Sequence, residues 1–302
     1  MAEEKGKKKE LFWFFFWLIA LTAVTEGLSI AAFYREDLAM TQAGMMGLMY
    51  VPLLAVLLSR RSLRGIGFRL RFRGKVRYYL VAWFSPLALS LLGAALYYGL
   101  FPGHFDLSGA ILGETLLANL KEQGISYQTY VVISMIACIT YAPLANLLLG
   151  LGEEVGWRGY LYPALKESYG KAKGWILGGL IWGLWHSPLI VFTGYEYGVN
   201  VPGFPFSGVM VFCLFCIACG VILDFLYVKT GAIWAPAIFH GAVNAAATLG
   251  LAVLSPGFDS YRLLGPAPNG LVAGLPLLLA AAYLARKWGR EGQEAEQSQR
   301  DE

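Results

Sequence analysis

The feature that most constrains this chain is a series of apolar blocks, each about twenty residues long, that contain almost no charge. A helix needs about twenty residues to cross roughly 30 Å of hydrocarbon, so each block has the length of a membrane span. The whole sequence is 57% hydrophobic and 15% charged, which excludes the ordinary soluble, disordered and fibrous classes. We therefore predict an all-α polytopic membrane protein.

Hydropathy predicts a bundle of about eight transmembrane helices. The predicted spans are residues 11–33, 40–58, 78–100, 128–151, 174–193, 208–228, 232–251 and 269–285. They divide the chain into a basic N-terminus (1–10), N-terminal helices and loops (11–127), a four-helix core (128–251), a last loop and helix (252–287) and a tail (288–302).

The distribution of basic residues predicts the orientation of these spans. If all eight are real, 21 of the 24 Lys and Arg residues lie on one side of the membrane and three on the other. The positive-inside rule identifies the basic side as the cytoplasm, so we expect both termini there and the protein in the plasma membrane. Because the basic residues flank apolar blocks, the expected partners are membrane lipids and not nucleic acid.

The connection from Arg60 to Arg77 is the most basic part of the chain. Apolar residues, including Phe68, Leu70 and Phe72, are interleaved with its charges. This pattern fits two interpretations equally well. The segment either lies along the inner leaflet and attracts anionic headgroups, or it is a plain charged connector.

Several isolated residues receive structural interpretations. Three cysteines recur at every third position of one predicted helix: Cys213, Cys216 and Cys219. Small polarizable residues at this spacing favour helix packing over a metal site. Glu26 and Asp224 are single acids in apolar blocks, interpreted as packing or capping groups. His104 lies between two predicted spans and is interpreted as an ordinary exposed loop residue.

The densest group of charges near a predicted span is Glu153-Glu154-Val-Gly-Trp-Arg158. Ionisable groups in a bilayer cost roughly 2.5–3.5 kcal/mol each, so they face a protein interior and usually mark function. Glu154 and Arg158 are four residues apart, so on a helix they share a face and can pair. Glu153 points about 100° away from Glu154, which leaves its carboxylate available for another role.

Two further polar sites fall within apolar blocks. His186 has Trp182 one helical turn before it, and Pro188 can kink the helix and open space for water or a ligand. His240 and Asn244 are four residues apart and share a helix face. We expect these groups to meet Glu153 in a polar cavity that opens toward the cytoplasmic side.

Such a constellation can hydrolyse an amide without a covalent nucleophile. Glu153 and His186 would hold and deprotonate a water, while His240 and Asn244 would stabilise the oxyanion. Alternatively Glu153, His186 and His240 could bind a divalent metal such as zinc that activates the water. The residues alone leave both mechanisms open.

The predicted end of the fourth span at residue 151 also leaves Glu153 shallow in the membrane, unless the helix starts later or continues beyond Arg158.

Three motifs occur in order on successive predicted helices: Glu-Glu-x-x-x-Arg at 153–158, aromatic-x-x-x-His at 182–186 and His-x-x-x-Asn at 240–244. In this respect the chain resembles the CAAX-protease and bacteriocin-processing family of intramembrane endopeptidases, over roughly residues 128–251. The resemblance implies cleavage of a peptide or prenylated protein near the cytoplasmic face. It implies that Glu153 and His186 position the water and that His240 and Asn244 form the oxyanion hole.

The resemblance also implies supporting roles for Glu154 and Arg158. Trp182 occupies a position where the family commonly has phenylalanine, which affects the expected shape of the pocket more than its chemistry. A metal-independent mechanism is favoured for the prenyl-protein branch of the family.

Two other functions stay open: a noncatalytic scaffold or regulator with the same fold, and a transporter or proton pathway. The latter is disfavoured because inverted repeats are not apparent.

Overall fold

The computed structural model describes residues 2–59 and 62–300, so Arg60 and Arg61 of the basic connection lie outside the described residues, as do Met1, Asp301 and Glu302. The described part contains thirteen α-helices and no strands, only an isolated bridge between Phe105 and Leu254. The helices are α1 (Ala2–Phe33), α2 (Leu38–Leu48), α3 (Val51–Leu58), α4 (Val76–Leu100), α5 (Gly113–Glu122), α6 (Tyr127–Ile139), α7 (Ala142–Gly156), α8 (Tyr162–Tyr169), α9 (Lys171–Trp185), α10 (Ser187–Thr193), α11 (Phe206–Thr230), α12 (Trp234–Leu251) and α13 (Leu275–Arg300).

Four helical segments are long and apolar enough to cross a membrane: Gly6–Phe33, Val76–Leu100, Lys171–Thr193 and Phe206–Thr230. Two bent pairs are further candidates, α2 with α3 at 44° and α6 with Ala142–Tyr169 at 57°. The described residues therefore hold four to six candidate spans, and the all-helical membrane fold is confirmed at this level. The count of eight stays a prediction.

Prolines explain where several of these spans are interrupted. Pro52, Pro143 and Pro188 each lie in the first turn of a helix, α3, α7 and α10 respectively. Proline lacks a backbone donor and disfavours helical geometry in the residue before it, so a new helix starts at each site. The break expected at Pro188 separates α9 from α10 at His186.

The helix that begins at Ala142 continues past residue 151, the predicted end of the fourth span. A π-helical turn, Trp157–Leu161, joins α7 to α8, so the helix continues from Ala142 to Tyr169. Glu153 therefore lies near the middle of a long helix that continues beyond Arg158. Wider π turns inside α-helices often occur at functional sites.

Small residues allow the central helices to approach closely. α12 packs against α7 and α4, and α9 packs against α11. A Cβ atom at Gly183 of α9 would lie 2.6 Å from the Cα of Cys213, so the two backbones are in direct contact there. Cys213, Cys216 and Cys219 are buried free cysteines on α11, as the packing interpretation predicted.

The two isolated acids differ in their surroundings. Asp224 is fully buried and accepts hydrogen bonds from Lys166 Nζ at 2.6 Å and from Trp175 Nε1 at 2.7 Å. It therefore ties α11 to α8 and α9, which confirms a packing role. Glu26 is also buried in α1, and neither of its carboxylate oxygens has a hydrogen-bond partner.

The interpretation of His104 as an exposed loop residue is wrong, because it is only 7% exposed. Its Nδ1 lies 2.8 Å from the Tyr97 hydroxyl, and its ring stacks on Phe258 at 3.9 Å and on Phe101 at 5.1 Å. The His104 carbonyl accepts from the Ser255 amide at 2.7 Å. An aromatic cluster thus joins the loop after α4 to the loop after α12.

The His104 cluster should make stability depend on pH. Burial lowers the pKa of the His104 imidazole from its ordinary value of 6.5. The unfolded chain then binds a proton more readily than the folded chain does. The contribution of His104 to stability is therefore present above pH 6.5 and is lost as the pH falls below it. We expect the Tm of the wild type to fall more steeply than that of His104→Phe between about pH 8 and about pH 5. Equal pH slopes for the two proteins would contradict this.

Candidate active site

A cavity of about 160 Å³ lies between α2, α7, α9, α11 and α12. Four of its lining residues are the polar groups that the sequence predicted to converge: Glu153, His186, His240 and Asn244. Trp182 also lines the cavity. The structure therefore brings the predicted groups of α7, α9 and α12 to one place, although the chain separates the first from the last by 91 residues.

Glu153 is held in a fixed position by two indole groups. The Trp157 Nε1 donates to Glu153 Oε2 at 3.0 Å, and the Trp182 Nε1 donates to the same oxygen at 2.7 Å. The other oxygen, Oε1, lies 3.7 Å from His240 Nε2, beyond hydrogen-bond distance. Because Glu153 is only 2% exposed, these indoles stabilise a carboxylate that is otherwise removed from water.

The predicted ion pair between Glu154 and Arg158 is present and completely buried. Arg158 Nη1 donates to Glu154 Oε1 at 2.9 Å. The guanidinium also lies against the rings of Tyr162 and Trp182, at 4.7 Å and 4.5 Å from their centroids. The Arg158 guanidinium therefore contacts both Glu154 and Trp182, and Trp182 is one of the two indoles that hold Glu153.

The same Glu154 oxygen also orients His240. It lies 2.8 Å from His240 Nδ1, and since an ionised carboxylate can only accept, Nδ1 is the donor. This bond turns Nε2 toward Glu153. Glu154 itself does not line the cavity, so it acts on the site through His240.

His186 is fixed through its own helix. Its Nδ1 lies 3.0 Å from the Trp182 carbonyl, which can only accept, so Nδ1 donates and Nε2 is an acceptor in the neutral ring. The imidazole packs edge-on against Phe212 and Trp185, at centroid distances of 4.9 Å and 4.7 Å. Asn244 is partly buried and lies one turn after His240 on the cavity side of α12.

Most of the remaining cavity wall is apolar. Its aliphatic and phenylalanine members come from α2 and the residue after it, and from α10, α11 and α12: Met45, Met46, Leu48, Met49, Leu189, Phe212, Phe215, Leu223, Phe239, Val243 and Ala247. Glu196 and Asn269, joined by a 2.6 Å hydrogen bond, add a polar edge contributed by two loops. The site thus combines one polar wall with a flexible, methionine-rich apolar wall.

The donor set does not fit a metal site in this arrangement. Among residues 2–59 and 62–300, no group of three or more His, Cys, Asp or Glu side chains is placed to share an ion. Within the candidate triad, Glu153 Oε2 is occupied by two indoles and His240 Nε2 faces the other oxygen, at 3.7 Å.

Sequence reasoning missed Trp157 and underestimated Trp182. Trp157 follows Glu153 by four residues, and this spacing on one helix is the signal that could have identified it. Trp182 was expected to alter only the shape of the pocket. Its indole N–H instead donates to Glu153, and a phenylalanine at this position has no such donor.

Comparison with known proteins agrees with the resemblance noted from the motifs. Residues 130–246 match the family model described as Type II CAAX prenyl endopeptidase Rce1-like, and this range includes Glu153, Glu154, Arg158, Trp182, His186, His240 and Asn244. CAAX prenyl protease 2 of Methanococcus maripaludis is 35% identical over 108 residues, which is 34% of this chain and 39% of that protein. The chain thus matches about two-fifths of the length of this curated relative. Over this central region the family resemblance is confirmed.

Proposed function

We propose that this integral membrane protein is an endopeptidase that hydrolyses a peptide bond inside the cavity, as a CAAX prenyl protease does. The observation that carries the proposal is the position of Glu153. Its carboxylate is fixed through Oε2, and Oε1 remains as an acceptor that faces His240 Nε2 in a largely apolar cavity also lined by His186. Burying a carboxylate in a membrane protein is costly, so a buried glutamate usually marks a functional site, and here the two indole donors offset part of that cost.

The first chemical step is attack by water. Glu153 Oε1 and His186 Nε2 both accept hydrogen bonds, so together they can hold one water. Glu153 takes a proton from this water while the water oxygen bonds to the substrate carbonyl carbon. Two rigid indoles hold the base in place, which reduces the reorganisation needed for the step.

The resulting tetrahedral oxyanion needs hydrogen-bond donors. Asn244 supplies its amide, and His240 supplies Nε2–H when both ring nitrogens carry protons. Glu154 and Glu153 lie on either side of His240 and provide the negative charge that pairs with such a ring. The proton on Glu153 then passes to the leaving nitrogen, and the C–N bond breaks to give a carboxylic acid and an amine. The acid gives its proton to the amine, so a carboxylate and an ammonium group are released.

The proposal includes a substrate class and a membrane orientation. The apolar wall favours a peptide with large apolar side chains or a covalently attached lipid, so a prenylated peptide is the first substrate to test. With the basic side of the chain in the cytoplasm, the cavity opens toward that side and both termini are cytoplasmic. The plasma membrane is the expected location.

Purified protein in detergent should cleave a prenylated CAAX peptide at one bond, as measured by mass spectrometry of the products. The unprenylated peptide and a scrambled prenylated peptide are the matched controls. A protein that cleaves none of a broad peptide panel would be a scaffold or regulator. Solute or proton flux in liposomes that depends on Glu153 would favour a transporter.

Removing divalent metal is expected to leave activity unchanged, because the three candidate ligands are not placed to share an ion. The measurement is the initial rate after dialysis against a strong chelator, together with elemental analysis of the same sample. Stoichiometric zinc that is lost together with activity, and restores it when added back, would contradict the metal-free mechanism.

A further inference from the structure

The loop between α3 and α4 is held in a defined position on the protein. It comprises residues 62–75 and is called the basic loop here. Four hydrogen bonds attach it to the end of α11, the following turn and the start of α12: Tyr227 hydroxyl to Ile66 carbonyl (3.0 Å), Ile233 amide to Gly67 carbonyl (3.1 Å), Trp234 Nε1 to Phe68 carbonyl (2.7 Å) and Lys75 Nζ to Thr230 carbonyl (2.8 Å). This fixed attachment argues against a plain connector.

Three of the four hydrogen bonds use carbonyl groups of the basic loop and the fourth uses Lys75, so the side chains of Arg69 and Arg73 take no part in this attachment. The loop contains Arg64, Arg69, Arg71, Arg73 and Lys75, and no acid. All four arginines are exposed. The loop therefore presents a concentrated positive charge that no acidic residue of the same loop neutralises.

Apolar side chains are exposed between these arginines. Phe68, Leu70 and Phe72 are 38%, 51% and 52% exposed, and they alternate with Arg69, Arg71 and Arg73 along the chain. A soluble anion would require only the charges. An alternation of arginine with exposed leucine and phenylalanine instead matches an interface that offers both phosphate and hydrocarbon.

The position of the basic loop in the fold also favours a membrane lipid as its partner. It follows the last helix of one candidate span, α3, and immediately precedes another, α4. A loop that joins two spans lies at a membrane surface. We propose that the basic loop binds the headgroups of anionic phospholipids, with Leu70 and Phe72 entering the acyl boundary.

The test is lipid selectivity after reconstitution in phosphatidylcholine vesicles, measured by electron paramagnetic resonance with spin-labelled phosphatidylglycerol or phosphatidylcholine. We expect the double variant Arg69→Gln/Arg73→Gln to lose about fivefold or more of the selectivity for phosphatidylglycerol. Arg35→Gln/Lys121→Gln removes the same charge from exposed positions elsewhere and should leave the selectivity unchanged. Arg69→Lys/Arg73→Lys should retain most of it.

Added salt and free phosphate test the lipid selectivity further. About 1 M salt should weaken the wild-type selectivity, because screening acts within a few ångströms at that concentration. Unchanged selectivity in Arg69→Gln/Arg73→Gln, or an equal loss in Arg35→Gln/Lys121→Gln, would overturn the proposal. Full displacement of the lipid by inorganic phosphate at low concentration would also overturn it, since the site would then recognise a soluble anion. None of these readouts depends on peptidase activity.

Discussion

Glu153→Gln is expected to lower kcat on a prenylated peptide by roughly 10²- to 10⁴-fold, the usual contribution of a general base. The glutamine amide oxygen can still accept from Trp157 and Trp182, which now bond Glu153 Oε2. The fold and the cavity should therefore be retained. Glutamine cannot take the proton from the attacking water, so the loss should appear in kcat with little change in KM.

Glu122→Gln is the matched control for this variant, because it makes the same chemical change at an exposed helix end. Its kcat and KM should equal those of the wild type. Retained cleavage by Glu153→Gln, with a Tm close to that of the wild type, would remove Glu153 from the mechanism.

Glu154→Met should cause the second large effect, a loss of both stability and activity. Both Glu154 and Arg158 are fully buried, so removing one partner leaves a buried charge unpaired. The expected cost is about 3–5 kcal/mol in the free energy of unfolding. Because His240 Nδ1 also loses its acceptor, the oxyanion donor is no longer fixed, and kcat should fall about 100-fold.

The double variant Glu154→Met/Arg158→Met separates these two consequences. Replacing both members of a buried pair by apolar residues is often neutral, so we expect much of the lost stability to return. Activity should stay low, because His240 still lacks its acceptor. The measurements are denaturant or thermal unfolding and initial rates. A double variant that regains activity along with stability would show that Glu154 supports only the fold.

Much of the site was predictable because its signals are local. Residues four apart on a helix share a face, so the sequence predicted the Glu154–Arg158 pair, and the structure confirms it. The convergence of Glu153, His186 and His240 rested on the cost of burying ionisable groups in a membrane. That argument requires a shared interior but does not specify distances.

Contacts between distant segments were not predictable in the same way. The Trp182 indole reaches Glu153 across 29 residues, and Glu154 reaches His240 across 86. The number of spans was also difficult to predict from hydropathy. Two of the eight predicted spans, 232–251 and 269–285, coincide with α12 and the start of α13, and neither helix is among the candidate spans of the described residues. His104 was misassigned because its burial comes from aromatic residues of another loop, Phe258 among them.

The most direct test of the central claim is to locate the substrate during binding. A prenylated peptide with a photoreactive diazirine beside the scissile bond should be irradiated with the Glu153→Gln variant, and the adducts mapped by mass spectrometry. We expect labelling of cavity residues on three helices, such as Met45, Phe212 and Val243. Excess unlabelled peptide should suppress it. Labelling confined to lipid-facing positions such as Leu92 or Leu279, with none in the cavity, would contradict the account.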